Sequence, residues 1–320
     1  MVMQKNKKYD IVGIGNAIVD LIAEVDDSYL EKNSINKGSM SLVDYDVANR
    51  IGNEVDIVKT ISGGSVANSI VCIAQQNLKT VFIGKVNQDE LGEKFAKGLA
   101  EENVEFKITK SLANKHTARC IILVSPDAER TMNTYLGVSQ ELTEEDVDLN
   151  IIEESSILYL EGYLWDLDNA KKAIKKSISA AINSETKIAF SISDAFCVDR
   201  FREEFIDLVN NSADIIFANE SEIKSLFETN ELNDAIKKCQ DTKKIFAVTL
   251  GDKGAKIIYK NEVIDIKAEV INKLVDTTGA GDLFAAGFLT QYIKSQDLEA
   301  SGKLGVKMAS IIIQKFGARL

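Results

Sequence analysis

The 320-residue chain predicts an α/β fold: a mostly parallel central sheet flanked by helices, carrying a small β lid. Three observations lead there. Short, β-rich and almost continuously apolar runs recur along the chain. Amphipathic helical stretches lie between them. Two segments of hairpin-like pattern interrupt the rhythm.

The apolar runs come first at "YDIVGIG" (9–15) and "TVFIGKV" (80–86), then at "SILYLEGYL" (156–164), "KIAFSIS" (187–193), "ADIIFANE" (213–220) and "KIFAVTLG" (244–251). Apolar side chains on consecutive positions suit strands covered on both faces, as parallel strands are. Between them, residues 90–103 place Leu91, Phe95 and Leu99 four apart, and residues 168–183 do the same with Ala170, Ile174, Ile178 and Ile182. Each such stripe predicts a helix laid on the sheet. The interrupting segments are 20–44 and 116–137; the second reads as two strands around "SPDAER", which holds the one proline, Pro126. They look antiparallel and are assigned to the lid. No repeat, low-complexity tract or Gly/Pro-rich linker divides the chain, so residues 1–320 are expected to form one domain with that lid.

Composition narrows the function. Net charge is −11, with 45% hydrophobic and 27% charged residues, so DNA, RNA or an anionic membrane is not the expected partner. Cys72, Cys120, Cys197 and Cys239 form no C-x-x-C pair and His116 is the sole histidine, which argues against zinc and for reduced core thiols in a cytoplasmic protein. The basic start is followed by an apolar run broken at Asn16 and Asp20, too short for a signal-peptide core. The longest uncharged run, 60–78, is too polar for a membrane span.

The most informative stretch is "DTTGAGDLFAAGFL" (276–289). Residues after Asp282 are apolar nearly all round, so this helix should be buried. Its start exposes unpaired amides, and Gly279 and Gly281 leave them open to an anion. Asp282 in the first turn is then either a simple helix cap or an acid placed to accept a proton beside a bound anion.

This stretch closely resembles the C-terminal signature of the PfkB, or ribokinase-like, family of carbohydrate and nucleoside kinases, and further matches run in order along nearly the whole chain. The resemblance implies a ribokinase-like fold with Asp282 as catalytic base and the amides of Gly279, Ala280 and Gly281 as the anion hole. "SGGSVANSI" (62–70) resembles the family's Gly-Gly signature, implying acceptor binding at Gly63, Gly64 and Asn68; a tight strand-to-helix turn is the local alternative. "GIGNAIVDLIAEV" (13–25) lacks the third glycine of a dinucleotide fingerprint, with Ile at 18. Asn16 and Asp20 instead match the family's sugar-gripping positions, and their Asn-x-x-x-Asp spacing resembles the adenosine-kinase-like branch.

"FANESEI" (217–223) resembles the family's Asn-x-x-Glu motif, implying phosphate contact by Asn219 and a magnesium-bound water held by Glu222; alone it also reads as a capped helix start. "VTLGDKGA" (248–255) resembles the family's nucleotide-binding strand and turn, implying that Thr249, Gly251 and Gly254 border the ATP phosphates and ribose; alone it is a generic β-turn with Gly. "LEGYLWD" (160–166) sets Tyr163 and Trp165 at a strand end, where ligands bind in open α/β sheets. The resemblance to adenosine kinases implies that Tyr163 stacks on a purine ring with Met40 and Leu42 over the other face, and a core tyrosine is the local alternative. Arg119 and Arg130 read as phosphate or acceptor contacts or as solvated lid charges.

The implied reaction is ATP- and Mg²⁺-dependent phosphoryl transfer to a hydroxymethyl group of a nucleoside (adenosine-like) or sugar. A monovalent cation such as K⁺ is a further family feature. The rivals are a kinase of a plain sugar such as ribose or fructose (phosphate), and a non-catalytic ligand-binding homologue. The chain is expected to be a monomer or a lid-mediated homodimer.

Overall fold

The computed structural model describes residues 7–111, 115–127 and 129–319. In chain order the strands are β1 (Tyr9–Ile14), β2 (Ile18–Glu24), β3 (Met40–Leu42), β4 (Ile57–Gly63), β5 (Thr80–Asn87), β6 (Glu105–Ser111), β7 (Ala118–Val124), β8 (Arg130–Tyr135), β9 (Ser155–Glu161), β10 (Lys187–Ser191), β11 (Ile215–Asn219), β12 (Ile245–Thr249), β13 (Ala255–Tyr259) and β14 (Glu262–Ile266). Nine form one sheet in the order β14-β13-β12-β11-β10-β9-β1-β5-β6. Every pairing from β12 to β6 is parallel, and only the β12-β13-β14 edge is antiparallel. The six apolar runs all fall on parallel strands of this sheet.

Their lack of alternation has a direct cause. In β9, Ile157 and Tyr159 enter the core on one face, while Leu158 and Leu160 enter the core on the other. β11 splits likewise between Ile215 with Phe217 and Ile216 with Ala218. Both faces are covered, so these consecutive positions are apolar. The helix Glu90–Glu101 buries Phe95 and Leu99, and its start is capped by Asp89, which accepts from the Gly92 amide at 2.9 Å. The helix Asp168–Asn183 buries Ala170, Ile174 and Ile178, but Ile182 is 53% exposed. The apolar stripe therefore runs one turn past the sheet. The helix Ala280–Ser295 buries eight consecutive residues, Leu283 to Thr290, between the sheet and the helices Ser65–Ala74 and Leu298–Ile312.

The second sheet is five-stranded, in the order β3-β8-β7-β2-β4. The hairpin read over 116–137 is present as antiparallel β7 and β8. The purely antiparallel reading needs correction, because β2 pairs parallel to β7 and β3 parallel to β8. The sheet also takes in Ile18 and the whole of β4, residues outside the two segments assigned to it. A hairpin advertises itself through its turn. Parallel pairing between segments about a hundred residues apart leaves no local mark.

One face of this sheet, with Val19, Leu21, Ala23, Ile121 and Leu123, is part of the main core. The other carries Ile22, Cys120 and Ile122 in a small apolar cluster. Asp20 lies two residues from Ile22 and so shares that second face. All four cysteines are free and buried. Among the described residues no helix is long and apolar enough to cross a membrane.

Candidate active site

The turn 276–281 delivers the chain into the buried helix. Gly279 takes φ 77°, a left-handed conformation that a side chain disfavours, and a Cβ there would lie 2.7 Å from that of Ala318. Asp276 braces the turn from beneath. Its Oδ1 accepts from the Thr278 amide at 2.9 Å and its Oδ2 from the Gly317 amide at 2.9 Å, and it forms a buried ion pair with Arg130. The Ala280 amide donates to the Thr277 carbonyl at 3.2 Å. The amides of Gly279, Gly281 and Asp282 have no partner among the described residues. Apart from its chain neighbours and its own helix backbone, nothing among the described residues lies within 4 Å of where a Cβ on Gly281 would stand, so the space above this helix start is open.

Asp282 is held from the neighbouring helix. Ser65 Oγ donates to its Oδ1 at 2.6 Å, Asn68 Nδ2 donates to its Oδ2 at 3.0 Å, and Ser69 Oγ donates to its carbonyl at 2.8 Å. Burial lifts its carboxyl above the usual carboxylate range, while Ser65, Asn68 and Arg319 pull the other way.

The same helix ties Asp282 to the strand ends. Gly64 precedes it at φ 100°, and a Cβ at that residue would strike the Asn16 carbonyl. A Cβ on Gly63 would strike the Asp20 carboxylate, so the backbone passes hard against that acid. Asp20 faces Arg319, Arg130 and Asp282, and burial raises its carboxyl to about 7. Asn16 is 3% exposed; its amide and its Nδ2 both donate to Glu161 Oε1, at 2.8 and 2.9 Å, and its Oδ1 is buried without a partner among the described residues. The structure thus brings Asn16, Asp20, Gly63, Gly64, Asn68, Gly279 and Asp282 into one contiguous site.

Two residues of this site were not singled out in the sequence. Glu161, 1% exposed, ends β9 and also accepts from the Val66 amide at 3.2 Å; burial raises it to about 7. An acid terminating an otherwise apolar run was the available signal. Arg319 reaches back from the segment after the helix Leu298–Ile312. Its Nε donates to Asn68 Oδ1 at 3.2 Å and its Nη1 to Ser62 Oγ at 2.8 Å, while Nη2 is buried without a partner among the described residues. Nothing local in the sequence marks it.

Asn219 and Thr249 are register partners at the carboxyl ends of β11 and β12, the side of an open parallel sheet where ligands bind. Asn219 and Glu222 form a capping box: Asn219 Oδ1 accepts from the Glu222 amide at 2.9 Å, and Glu222 Oε2 accepts from the Asn219 amide at 2.9 Å. Burial raises Glu222 to about 7. Gly251 opens a single 3₁₀ turn after β12 and Gly254 follows it, with φ 61° and 89°.

The remaining candidates separate. Tyr163 is half-buried; it packs on the core and its hydroxyl donates to the Ser193 carbonyl at 3.2 Å. Trp165 is 2% exposed among Phe190 and Phe205, a core residue. Met40 and Leu42 are exposed at the edge of the second sheet. Register runs from Met40 through Met132 and Ile122 to Ile22, which places them on the Asp20 face. Arg119 pairs in register with Val19 and so lies on the opposite face, its guanidinium 5.3 Å from the Tyr45 ring. Arg130 belongs to the bracing pair with Asp276.

A family model described as pfkB family carbohydrate kinase matches residues 10–320. A solved adenosine kinase from Sinorhizobium meliloti is 41% identical with a TM-score of 0.90, covering 98% of this chain and 96% of that one. A solved probable sugar kinase protein from Rhizobium etli CFN 42 is 39% identical with a TM-score of 0.90, covering 98% and 95%. A putative sugar kinase from Pyrococcus horikoshii is 28% identical over 313 residues, covering 95% of this chain and 93% of its own length. The chain belongs to the pfkB family of carbohydrate kinases and is a phosphotransferase acting on a hydroxyl group, of the sugar and nucleoside kinase kind.

Proposed function

We propose that the protein transfers the γ-phosphoryl group of ATP to the hydroxymethyl group of a nucleoside of the adenosine type. The observation that carries this is the fixed carboxylate of Asp282 at the open start of a buried helix. Asp282 takes the proton of the attacking hydroxyl as the oxygen–phosphorus bond forms. A base whose carboxyl is lifted above the usual range is better matched to a hydroxyl at neutral pH. The free amides of Gly279, Gly281 and Asp282 neutralise charge on the transferring group, and Ala280 joins them by releasing Thr277. Asp20 accepts two hydroxyls of the acceptor, with Asn16 and Asn68 beside it and the backbone of Gly63 and Gly64 kept clear of side chains. The second sheet acts as a lid whose apolar face, with Ile22, Ile122, Met40 and Leu42, excludes water from the transfer.

Asn219, Thr249, Gly251 and Gly254 border the nucleotide phosphates and ribose. Glu222, a buried carboxylate on which no cation acts among the described residues, would hold a Mg²⁺ ion through water. When bound, the ion would supply positive charge beside the nucleotide phosphates.

A plain sugar is the second reading. It is favoured by Tyr163, whose hydroxyl is engaged with Ser193 and whose ring leans on the core. The likeness to the Sinorhizobium meliloti adenosine kinase supports the first reading and that to the Rhizobium etli probable sugar kinase the second. A coupled ADP-release assay against adenosine, guanosine, inosine, ribose, fructose and fructose phosphates separates them. Turnover is expected to be highest with adenosine; preference for a free sugar or its phosphate overturns the nucleoside reading, and nucleotide binding without turnover on any acceptor overturns both.

A further inference from the structure

We propose that Arg319 is a positioning residue for phosphoryl transfer: its guanidinium dictates which way the Asn68 amide faces, so that the amide NH₂ meets Asp282. This rests on the reading of Asp282 as base. An asparagine amide is nearly symmetric in shape but not in chemistry, with an acceptor at one end and donors at the other. Asn68 lies between a carboxylate, which only accepts, and a guanidinium, which only donates. One orientation satisfies both contacts. The reverse would set Oδ1 against Asp282 and the NH₂ against Arg319.

Arg319 is itself anchored. Ser62 receives its Nη1 at 2.8 Å and is 6% exposed near the end of β4. Ala318 abuts Gly279, and the Gly317 amide binds Asp276, so the chain that carries Arg319 is tied to the anion-binding turn. Nη2 meets no acceptor among the described residues, so the guanidinium does not simply saturate a structural network.

Charge follows from the same placement. Arg319 faces Asp20 on β2, Asp282 on the helix Ala280–Ser295, and Glu102 after the helix Glu90–Glu101. Asp282 is further faced by Ser65, Asn68 and Cys72 from their helix, by Tyr159 and Glu161 from β9, by Tyr163 just after it, and by Asp20. Of these, Arg319 is the cation, and Asp20 has Arg130 as a second one. Removing the charge therefore raises both aspartates, and the acid limb of turnover, where the base protonates, moves to higher pH.

The test compares Arg319→Gln and Arg319→Lys with wild type, reading kcat against pH, KM for ATP and thermal melting, with Asp282→Asn in parallel. Both Arg319 variants are expected to lose about 10- to 100-fold in kcat with KM for ATP unchanged, because neither restores the fork that orients Asn68. The acid limb should rise by about half to one pH unit in the Gln variant and stay in place in the Lys variant, which keeps the charge. If kcat stays within about twofold in both, or falls in the Gln variant without any movement of the limb, the assignment is overturned. Should the Gln variant not fold, loss of kcat in a folded Lys variant with an unmoved limb supports the assignment, and wild-type kcat in it overturns it. Near-wild-type turnover of Asp282→Asn would instead remove the base and leave the Arg319 result as a separate fact.

Discussion

Glu161→Gln isolates the carboxylate that joins β1, β9 and the helix carrying Ser65 and Asn68. Wild-type Glu161 accepts from the Asn16 amide, Asn16 Nδ2 and the Val66 amide, and is 1% exposed. Its carboxyl, 4.5 in the ordinary case, rises to about 7 in the fold through burial, against the pull of those donors. Folding thus takes up a proton between the two values. The stability so contributed is fully present below about 4.5 and is lost as pH rises through about 7. A displacement of that size corresponds to about 3 kcal/mol. The glutamine variant has no proton to take up, but it sets an NH₂ against one of the three donors, at a cost of about 1–3 kcal/mol at any pH. Urea unfolding at pH 5 and pH 8 should therefore find the variant less stable than wild type at pH 5, with the gap closing or reversing at pH 8. Asp20 and Glu222, each raised to about 7, give both proteins a common downward slope, which the difference removes. A gap of the same size at both pH values would refute the reasoning.

Two further perturbations probe the site's halves. Asp20→Ala should raise the acceptor KM at least about tenfold, since two charge-assisted hydrogen bonds are lost, while KM for ATP stays; an unchanged acceptor KM in steady-state kinetics counts against its role. Arg130→Met leaves Asp276 buried without its cation and should cost about 3–5 kcal/mol by urea unfolding, part of it regained in the double variant with Asp276→Asn. A loss under 1 kcal/mol would mean that the pair does not brace the anion-binding turn.

What the sequence discloses follows the range over which each feature is encoded. The parallel strands are legible because burial on two faces writes itself as unbroken apolar runs, as in "SILYLE". The buried helix after Asp282 is legible for the same reason. β4 was missed because its residues are largely exposed and alternate poorly, and β13 and β14 because they form an antiparallel edge after six parallel-type runs. Asn16, Asp20, Gly63, Gly64, Asn68 and Asp282 could be named from motifs, yet their convergence is tertiary. Glu161 was visible only as an acid out of place. Arg319, which touches Asn68 from 251 positions away, had no local mark at all.

The central claim is that Asp282 removes the proton of the acceptor hydroxyl. Its most direct test is Asp282→Asn, with binding of ATP and acceptor measured by calorimetry and turnover by ADP release. The account predicts binding within a few-fold of wild type and turnover lower by about 10²–10⁴. Turnover close to wild type, with the protein folded and both ligands bound, would contradict it.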